Sequence, residues 1–405
     1  MKSRPSPGEL ASQPAAARPN ARSKDPSRAP STVQAAELTR WAVACLTAMN
    51  LSKRDARQIA TSLVQTSLWG IDSHGIARLG HYLARMRAGS IKTRPVIRVR
   101  RTGPGTARVE GGHGHGIVVS HRAMAEAIAL AKKCGIGAVG VENSSHCGAA
   151  GLYGRQAARA GMIGVAFTHS DAFVAPHRGT RKFLGTNPIC ITVPTRDPER
   201  PLCLDMSTSA VPYNRVVNYR RENRKLETGW ALDGRGRVTL DPHAVASLLP
   251  LAGHKGYALA FLIDLLCGPL NGMPFGPHIP SMYQGLSRPR RLGSFYIAID
   301  PLRFGGGSHL PQVAARMARE ARSQARANTT EGVLAPGDPE HISEEMRRQG
   351  GIPLEPGLRQ EMARWSKRLG VTPPWEQIPR KPESAEKRPA RRIPTVRRKP
   401  RKAAI

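Results

Sequence analysis

No stretch of this chain is apolar over the ~18 to 20 residues that a membrane-spanning helix requires. The most apolar segment, Tyr257 to Leu270, is shorter and contains Asp264, which argues against a helical span. Cysteine is sparse and scattered: Cys45, Cys134, Cys147, Cys190, Cys203 and Cys267 form no C-x-x-C pair, which excludes a zinc ribbon and a disulfide framework and points to a reducing, cytoplasmic setting. Aromatic residues make up only 5% of the chain and no RNA-binding or zinc-finger signature occurs, which weighs against a dedicated nucleic-acid module. Acidic residues are also few, 29 against 62 Lys and Arg, for a formal net charge of +33. That excess raises a rival reading in which the protein touches polyanions. Part of it sits in a tail rich in Arg, Lys and Pro from Arg380 to Ile405, too poor in apolar surface to fold alone. Residues 1–30, rich in Arg, Ser, Pro and Ala, lack the apolar core of a secretory signal and read as a disordered leader or an overlong translation start.

What remains, 40% hydrophobic residues with 40 glycines in a chain of 405, suits a folded mixed protein with substantial cores. Helical spacing of apolar residues predicts helices over Val33 to Met49 and Arg54 to Leu68, the second capped by Ser52, and a third over Ala77 to Ala88. In that third helix Arg78 and Tyr82, four apart, would share one face beside the His74 turn, a geometry suited to gripping a carboxylate. Alternation around a Gly-Pro-Gly break predicts a strand pair over Val96 to Glu110. A helix over Val118 to Lys133 follows, then strands at Ala138 to Glu142, Ile163 to Thr168, Ile189 to Val193 and Leu202 to Asp205. Helices over Ala149 to Ala160 and Tyr257 to Cys267, a strand over Ser294 to Ile299 and an exposed helix over Arg316 to Asn328 complete the expectation. Interleaved strands and helices indicate an α/β core. The expected organisation is a leader (1–30), an N-terminal helical region (31–115), an α/β core (116–310), a C-terminal helical region (311–375) and a basic tail (376–405).

Two tempting motifs are set aside. Gly135-Ile-Gly-Ala-Val-Gly140 satisfies G-x-G-x-x-G, but a dinucleotide fingerprint must follow a strand and open a helix, so that pyrophosphate meets the helix N-terminus. Here a helix ends in Lys132-Lys133-Cys134, Gly135 reads as its cap, and a strand follows. His113, His115 and His121 lie close in sequence, yet His113-Gly-His-Gly116 reads more simply as a flexible turn, and no H-E-x-x-H frame exists. No metal is expected.

The most informative stretch is Asn143-Ser-Ser-His-Cys-Gly-Ala-Ala-Gly151, which runs on to Leu184-Gly-Thr-Asn-Pro188. It sets His146 among small residues, where substrate and cofactor could approach a ring whose ordinary pKa lies near neutrality. Together with Trp69-Gly-Ile-Asp-Ser-His-Gly-Ile-Ala-Arg-Leu-Gly-His-Tyr82, Leu204-Asp-Met-Ser207, Gly229-Trp-Ala-Leu-Asp233, Leu251-Ala-Gly-His-Lys-Gly-Tyr257, Leu286-Ser-Arg-Pro-Arg-Arg-Leu-Gly293 and Pro336-Gly-Asp338, this stretch resembles the malate/L-lactate dehydrogenase family that is separate from the Rossmann-type enzymes. The resemblance covers roughly Ser31 to Val371.

The resemblance implies an α/β fold with a mixed-sheet, non-Rossmann nicotinamide-binding core, and hydride transfer between NAD or NADP and a small 2-oxo/2-hydroxy acid. By similarity, His146 is the acid/base, and Ser73 and His74 are its substrate-side companions. Arg78, with Tyr82, would grip the carboxylate through a bidentate contact that lysine cannot reproduce. Thr186 and Asn187 would shape the pocket. Ser170, Asp205, Met206, Lys255, Gly337 and Asp338 match cofactor positions, with Gly253 and Gly256 clearing space beside Lys255. A homodimer is implied, because the family builds its site near a subunit contact.

The chain departs from the family pattern in two places. Cys147 stands where an aromatic commonly follows the histidine, which would widen or re-tune the pocket. Val211-Pro-Tyr-Asn-Arg215 lacks the Gly-Lys pair often found after the Asp-Met block, and Arg220, Arg221, Arg224 and Lys225 make the following segment basic. These changes and the basic ends sustain the alternative of a polyanion-binding protein on a catalytically inactive dehydrogenase scaffold.

Overall fold

A computed structural model describes residues 31–327 and 331–376. The expected leader and the basic tail from 377 onward lie outside the described residues.

The first core is helical. A short strand β1 (Ser31–Val33) leads into α1 (Ala35–Ala48) and α2 (Lys53–Leu68). The Ser52 hydroxyl accepts the Asp55 N–H at 3.1 Å, the cap that the sequence announces. Along α2 the residues Ala56, Ile59, Ala60, Leu63 and Val64 recur at helical spacing and are buried against Leu38, Trp41 and Cys45 of α1. The third expected helix begins later than its periodicity suggests. Asp72–His74 and Ile76–Arg78 form two short 3-10 turns, and α3 runs only from Leu79 to Arg87. The break falls at Gly75, where a Cβ would collide with Ser67 of α2.

The second core is a sheet. Strands β2 (Arg98–Gly103) and β3 (Thr106–Glu110) form the expected pair, followed by α4 (Gly116–Cys134), β4 (Ile136–Ser144), α5 (Gly151–Arg159), β5 (Ile163–Thr168), β6 (Ile189–Val193) and β7 (Leu202–Met206). Next come α6 (Tyr213–Arg221), β8 (Ala231–Leu232), β9 (Ser247–Leu248), α7 (His254–Cys267) and β10 (Leu292–Ile299). Finally α8 (Leu310–Arg322), α9 (Asp338–Gly350), β11 (Ile352–Leu354) and α10 (Pro356–Leu369) close the described chain. Gly135, at φ 86°, ends α4 before β4 starts at Ile136, so the G-x-G-x-x-G run is a helix-to-strand junction. The helix expected over Arg316 to Asn328 is instead α8, six residues earlier, because Pro311 suits a first helical turn.

Seven strands pair in the order β2-β3-β4-β10-β5-β6-β7, with β3 and β4 parallel and the other neighbours antiparallel. This mixed order decides where function can sit. Leu292 pairs with Ser144, Ser294 with Thr168, Phe167 with Ile189, and Ile189 with Met206. The exits of β4, β5 and β7 and the entries of β10 and β6 therefore share one edge of the sheet. The segments that follow or precede those strands, each quoted above as a separate block, converge there by register alone.

α4 packs Val119, Ala123, Ala127 and Ala131 onto Val139, Val141 and Tyr296 of the sheet. Met362 and Trp365 of α10 close the helical core, and Trp41 Nε1 donates to Ser366 Oγ at 2.8 Å. The basic segment after β7 folds into α6, whose Val216 joins Val174, Val211, Leu226, Trp230 and Leu248 in a small third core. There Arg220 donates to the Pro242 carbonyl. All six cysteines are free thiols.

Candidate active site

His146 stands two residues beyond the end of β4, half-buried at the shared edge. Its backbone is held from below by the start of α4. The Gly116 N–H donates to Ser145 Oγ at 2.8 Å, and a Cβ on Gly116 would lie 2.2 Å from the Ser145 carbonyl and 2.4 Å from that of His146. Only glycine permits that approach.

The imidazole is oriented by two contacts on one nitrogen. Gly148 donates its N–H to Nδ1 at 3.2 Å, and the Tyr82 hydroxyl lies 2.6 Å from the same atom. A backbone N–H can only donate, so in the neutral ring Nδ1 is bare, Tyr82 donates to it, and Nε2 carries the hydrogen. The His74 ring stacks on His146 with centroids 5.4 Å apart and 21° between planes. His74 Nδ1 is in turn 2.8 Å from Ser73 Oγ. Burial, reinforced by Arg78, holds His74 down at about 3. Burial again, with His74 and Arg78 as the next causes, holds His146 well below its ordinary value. Both rings are neutral near pH 7.

Arg78 closes this cluster. Its Nε donates to the Ser73 carbonyl at 2.6 Å and its Nη1 to Tyr283 Oη at 3.0 Å. Arg78 is the N-cap residue of α3, with helical backbone angles, and its guanidinium is spent on Ser73 and Tyr283. Tyr82 corrects the expectation that it grips substrate: it is fully buried behind His146, and its hydroxyl serves the imidazole.

The next group lies across β5 and β6. Asn187 Oδ1 accepts the Ser170 N–H at 3.3 Å, and Ser170 Oγ accepts the Thr186 N–H at 3.4 Å. Asn187 is wholly buried, at φ 27°, and its Nδ2 donates to the Ala260 carbonyl of α7. Asn187 is thus a scaffold for Ser170 and Thr186. Asp205, at the exit of β7 beside Met206, accepts the Gly151 N–H of α5 at 2.7 Å. Burial pushes its carboxyl up to about 6, against the opposing effect of that N–H.

Lys255 is exposed in the first turn of α7, where Gly253 provides no side-chain cap. An uncapped helix N-terminus carrying a lysine suits a phosphate. This turn is tied to the Thr186 loop, since Leu251 N–H donates to the Thr208 carbonyl and Thr208 N–H to that of Thr186. Gly337 and Asp338 lie elsewhere, packed on β7 through the Cys203 N–H, which donates to the Pro336 carbonyl. The Asp338 carboxylate accepts Arg322 Nε and Nη2 at 2.7 and 2.6 Å and the Ala335 N–H at 2.7 Å. Its cofactor expectation is corrected accordingly: both oxygens are already used to join α8 to α9.

Cys147 also behaves differently from expectation. Its side chain is buried in the sheet core, where the Tyr153 hydroxyl donates to the Cys147 carbonyl, and it does not widen the pocket. Two of the histidines considered for a metal have separate partners: His115 Nδ1 accepts the Ile117 N–H at the head of α4, and His121 joins Ser62 and Gln156. Sequence reasoning missed Asp171, Tyr283, Arg85 and Arg290, which surround the same cluster. Arg290 lay in a quoted block, and Asp171 directly follows Ser170, so their positions were visible although their partnership was not.

Known proteins resemble this chain over most of its length. The sequence profile described as "Malate/L-lactate dehydrogenase" matches residues 33–363. A malate dehydrogenase of Pyrococcus abyssi is 35% identical over 345 residues, 83% of this chain and 94% of its own length. The NAD(+) ureidoglycolate dehydrogenase of Escherichia coli K12 is 35% identical over 304 residues, 75% of this chain and 87% of its own. The solved sulfolactate dehydrogenase of Methanocaldococcus jannaschii superposes with a TM-score of 0.79 at 29% identity, covering 84% of this chain and 98% of that one.

Proposed function

Because the chain belongs to the malate/L-lactate dehydrogenase family, we propose that the edge built around His146 exchanges a proton with the C2 oxygen of a small 2-oxo or 2-hydroxy acid. The protein is a 2-hydroxy-acid dehydrogenase. The observation that carries the assignment of roles is the oriented neutral imidazole of His146, with Tyr82 on Nδ1 and His74 stacked on its face.

In this reading His146 Nε2–H donates to the carbonyl oxygen of a 2-oxo acid and passes its proton there as negative charge develops. The Tyr82 O–H proton can follow to Nδ1; burial raises this hydroxyl, and the charges of Arg78 and Arg290 offset part of that rise. In the alcohol-oxidising direction the same protons return. Arg78 holds the C1 carboxylate, exchanging its Tyr283 contact for a bidentate one. Ser73 fixes the His74 ring edge, and Thr186 shapes the floor.

A nicotinamide dinucleotide, NAD or NADP, supplies or accepts the hydride when bound. The residues present suit it. Lys255 with the exposed turn of α7 would hold phosphate, and Ser170, Asp205 and Met206 border the path from there to His146. Gly337 is the remaining C-terminal candidate. The exposed Phe261, Leu262 and Leu265 of α7 support a homodimer with the site near the subunit contact, and six free thiols support a cytoplasmic protein. The basic tail, which would make any accessory polyanion contact, lies outside the described residues. Among those residues, no helix is long and apolar enough to cross a membrane.

The test is a panel of 2-oxo acids with NADH and NADPH, followed by nicotinamide absorbance, for the full chain and His146→Ala. Turnover is expected to disappear in the variant while nucleotide binding, measured by fluorescence, persists. Wild-type turnover by His146→Ala would overturn the role given to this ring.

A further inference from the structure

The loop that joins β5 to β6 carries positive charge with no carboxylate to balance it. Its foot stands on the edge that holds His146. Ser170 follows β5 and Thr186 precedes β6, and between them the Val174 N–H donates to the Leu184 carbonyl at 2.8 Å while the Leu184 N–H returns to that of Val174 at 3.1 Å. From this pair the chain runs outward through Pro176-His-Arg-Gly-Thr-Arg-Lys182 and turns where the Gly179 N–H donates to the Pro176 carbonyl. The outer half leans on the Lys255 turn of α7: the His177 and His254 ring centroids are 5.9 Å apart, and a Cβ on Gly253 would lie 3.6 Å from His177 Nδ1. On its other side a Cβ on Gly236 would lie 2.5 Å from Thr180 Cβ, so the 233–237 turn also packs against the loop.

Arg178, Arg181 and Lys182 are exposed, as is Lys255. Among the described residues none of the four has an ion pair or a side-chain hydrogen bond. The carboxylate of the adjoining turn is already filled, since Asp233 accepts the Arg235 and Arg237 N–H groups on Oδ1 and the Arg237 guanidinium on Oδ2. Arg178 stands at φ 65°, in the left-handed region where a Cβ is disfavoured and glycine is at ease. A backbone that would suit glycine thus carries a long planar donor at the loop tip. The pyrophosphate of a dinucleotide bears two negative charges, which Lys255 and one neighbour balance. The remaining cations match a further phosphate.

We propose that the β5–β6 loop is the cofactor-specificity element of this protein: Arg178 and Arg181 receive a phosphate on the 2′ oxygen of the adenosine ribose, so that the preferred dinucleotide is NADP(H). The order of groups along the surface follows the order of parts in the cofactor. His146 stands at the nicotinamide end, Ser170 and Thr186 come next, then Lys255 at the pyrophosphate, with the loop tip outermost at the adenosine. A guanidinium binds a phosphate through two parallel N–H bonds, whereas the 2′ hydroxyl of NAD offers it no charge. The inference rests on the dehydrogenase reading of the site and decides between its two cofactors.

The test measures binding to the full chain: 2′,5′-ADP against 5′-AMP by calorimetry, two ligands that differ only in the 2′ phosphate, and NADPH against NADH by nucleotide fluorescence. It uses wild type, Arg178→Gly, the double variant Arg178→Gly with Arg181→Gln, and Arg98→Gln. Glycine suits the backbone at 178, so that variant should melt no lower than wild type. Arg98, exposed on the edge strand β2 at the other end of the sheet, controls for the general field of a basic protein. Wild type is expected to bind 2′,5′-ADP at least about tenfold tighter than 5′-AMP. Arg178→Gly should lose about tenfold for NADPH with NADH within about twofold, the double variant should lose the preference, and Arg98→Gln should keep it. A wild type that binds the two adenosine nucleotides equally would overturn the proposal. So would equal losses for NADPH and NADH, or a loss in Arg98→Gln that matches Arg178→Gly. If no 2-oxo acid were reduced with either cofactor, the dehydrogenase reading would fail, while 2′,5′-ADP against 5′-AMP would still decide the role of the loop.

Discussion

The Tyr82 hydroxyl and His146 Nδ1 are 2.6 Å apart, although 64 residues separate them in sequence. The contact joins the helical core to the sheet edge and fixes which nitrogen of the imidazole faces substrate. Tyr82→Phe preserves the buried ring, so folding should weaken by only about 1 kcal/mol, the net worth of one hydrogen bond. Loss of the O–H removes the second proton of the relay, and kcat should fall by about a hundredfold while nucleotide affinity holds. A steady-state pH profile checks it. If kcat were unchanged, the relay would be excluded, leaving Tyr82 a packing role.

Gly116 tests the same ring from the other side. A methyl group there meets the carbonyls of Ser145 and His146, neither of which can retreat without moving the imidazole. Gly116→Ala should cost about 1–3 kcal/mol of stability by overpacking. It should also depress kcat more than KM, since the substrate-binding guanidinium of Arg78 lies on a separate element. Thermal melting and kinetics together check this. Native kcat would mean that the α4 contact does not position His146.

Much of this is legible in the sequence alone. β5 and β6 were visible because Ile163 to Thr168 and Ile189 to Val193 are β-rich runs between turn residues, and α2 because Ser52 announces its start. The blocks around His146, His74 and Arg78 carried enough chemistry to be picked out individually. Their convergence was not readable, because it follows from strand order, and β10 inserts between β4 and β5 from far along the chain. The role expected of Tyr82 fails for a reason that spacing does not carry: its ring is fully buried, and its hydroxyl is taken by His146, 64 residues away. The Asp171–Arg290 pair spans 119 residues and leaves no periodic trace. α9 and α10 fall in the expected C-terminal helical region, but their bounds were not legible because their exposed faces are so polar that few apolar positions mark them.

Buried neutral histidines give the fold a characteristic acid response. Burial lowers His74 to about 3, His81 to about 3 with help from Arg85, and His115 to about 3. In the unfolded chain each would titrate near 6.5. Below that value the unfolded state binds protons that the fold refuses, so stability is full above about pH 6.5 and drains as the pH falls towards 3. Melting temperature should therefore drop between pH 7 and 5, before most carboxylates titrate. His115→Asn, which can still accept the Ile117 N–H although it gives up the edge-on packing of the ring against Tyr82, should flatten that slope. An identical slope in the variant would show that the His115 ring does not contribute to it.

Arg85 controls the segment that covers the arginine cluster. Its fork reaches the carbonyls of Ser281 and Met282 at 2.8 Å and those of Leu286 and Arg288 at 3.4 and 3.3 Å, holding Tyr283 over Arg78. Burial, aided by the charge of Arg290, lowers this guanidinium to about 10, so it remains charged at neutral pH. Arg85→Lys keeps a cation but cannot reach both ends of the segment, since an ammonium lacks the planar fork. The 281–288 segment should then open more often, exposing it to limited proteolysis. KM for the oxo acid should rise about tenfold with kcat little changed, the pattern of lost ground-state positioning. Peptide mapping of the first cleavage checks the location directly. Protection equal to wild type would show that Asp171, through Met282 and Arg290, is sufficient to keep the segment closed.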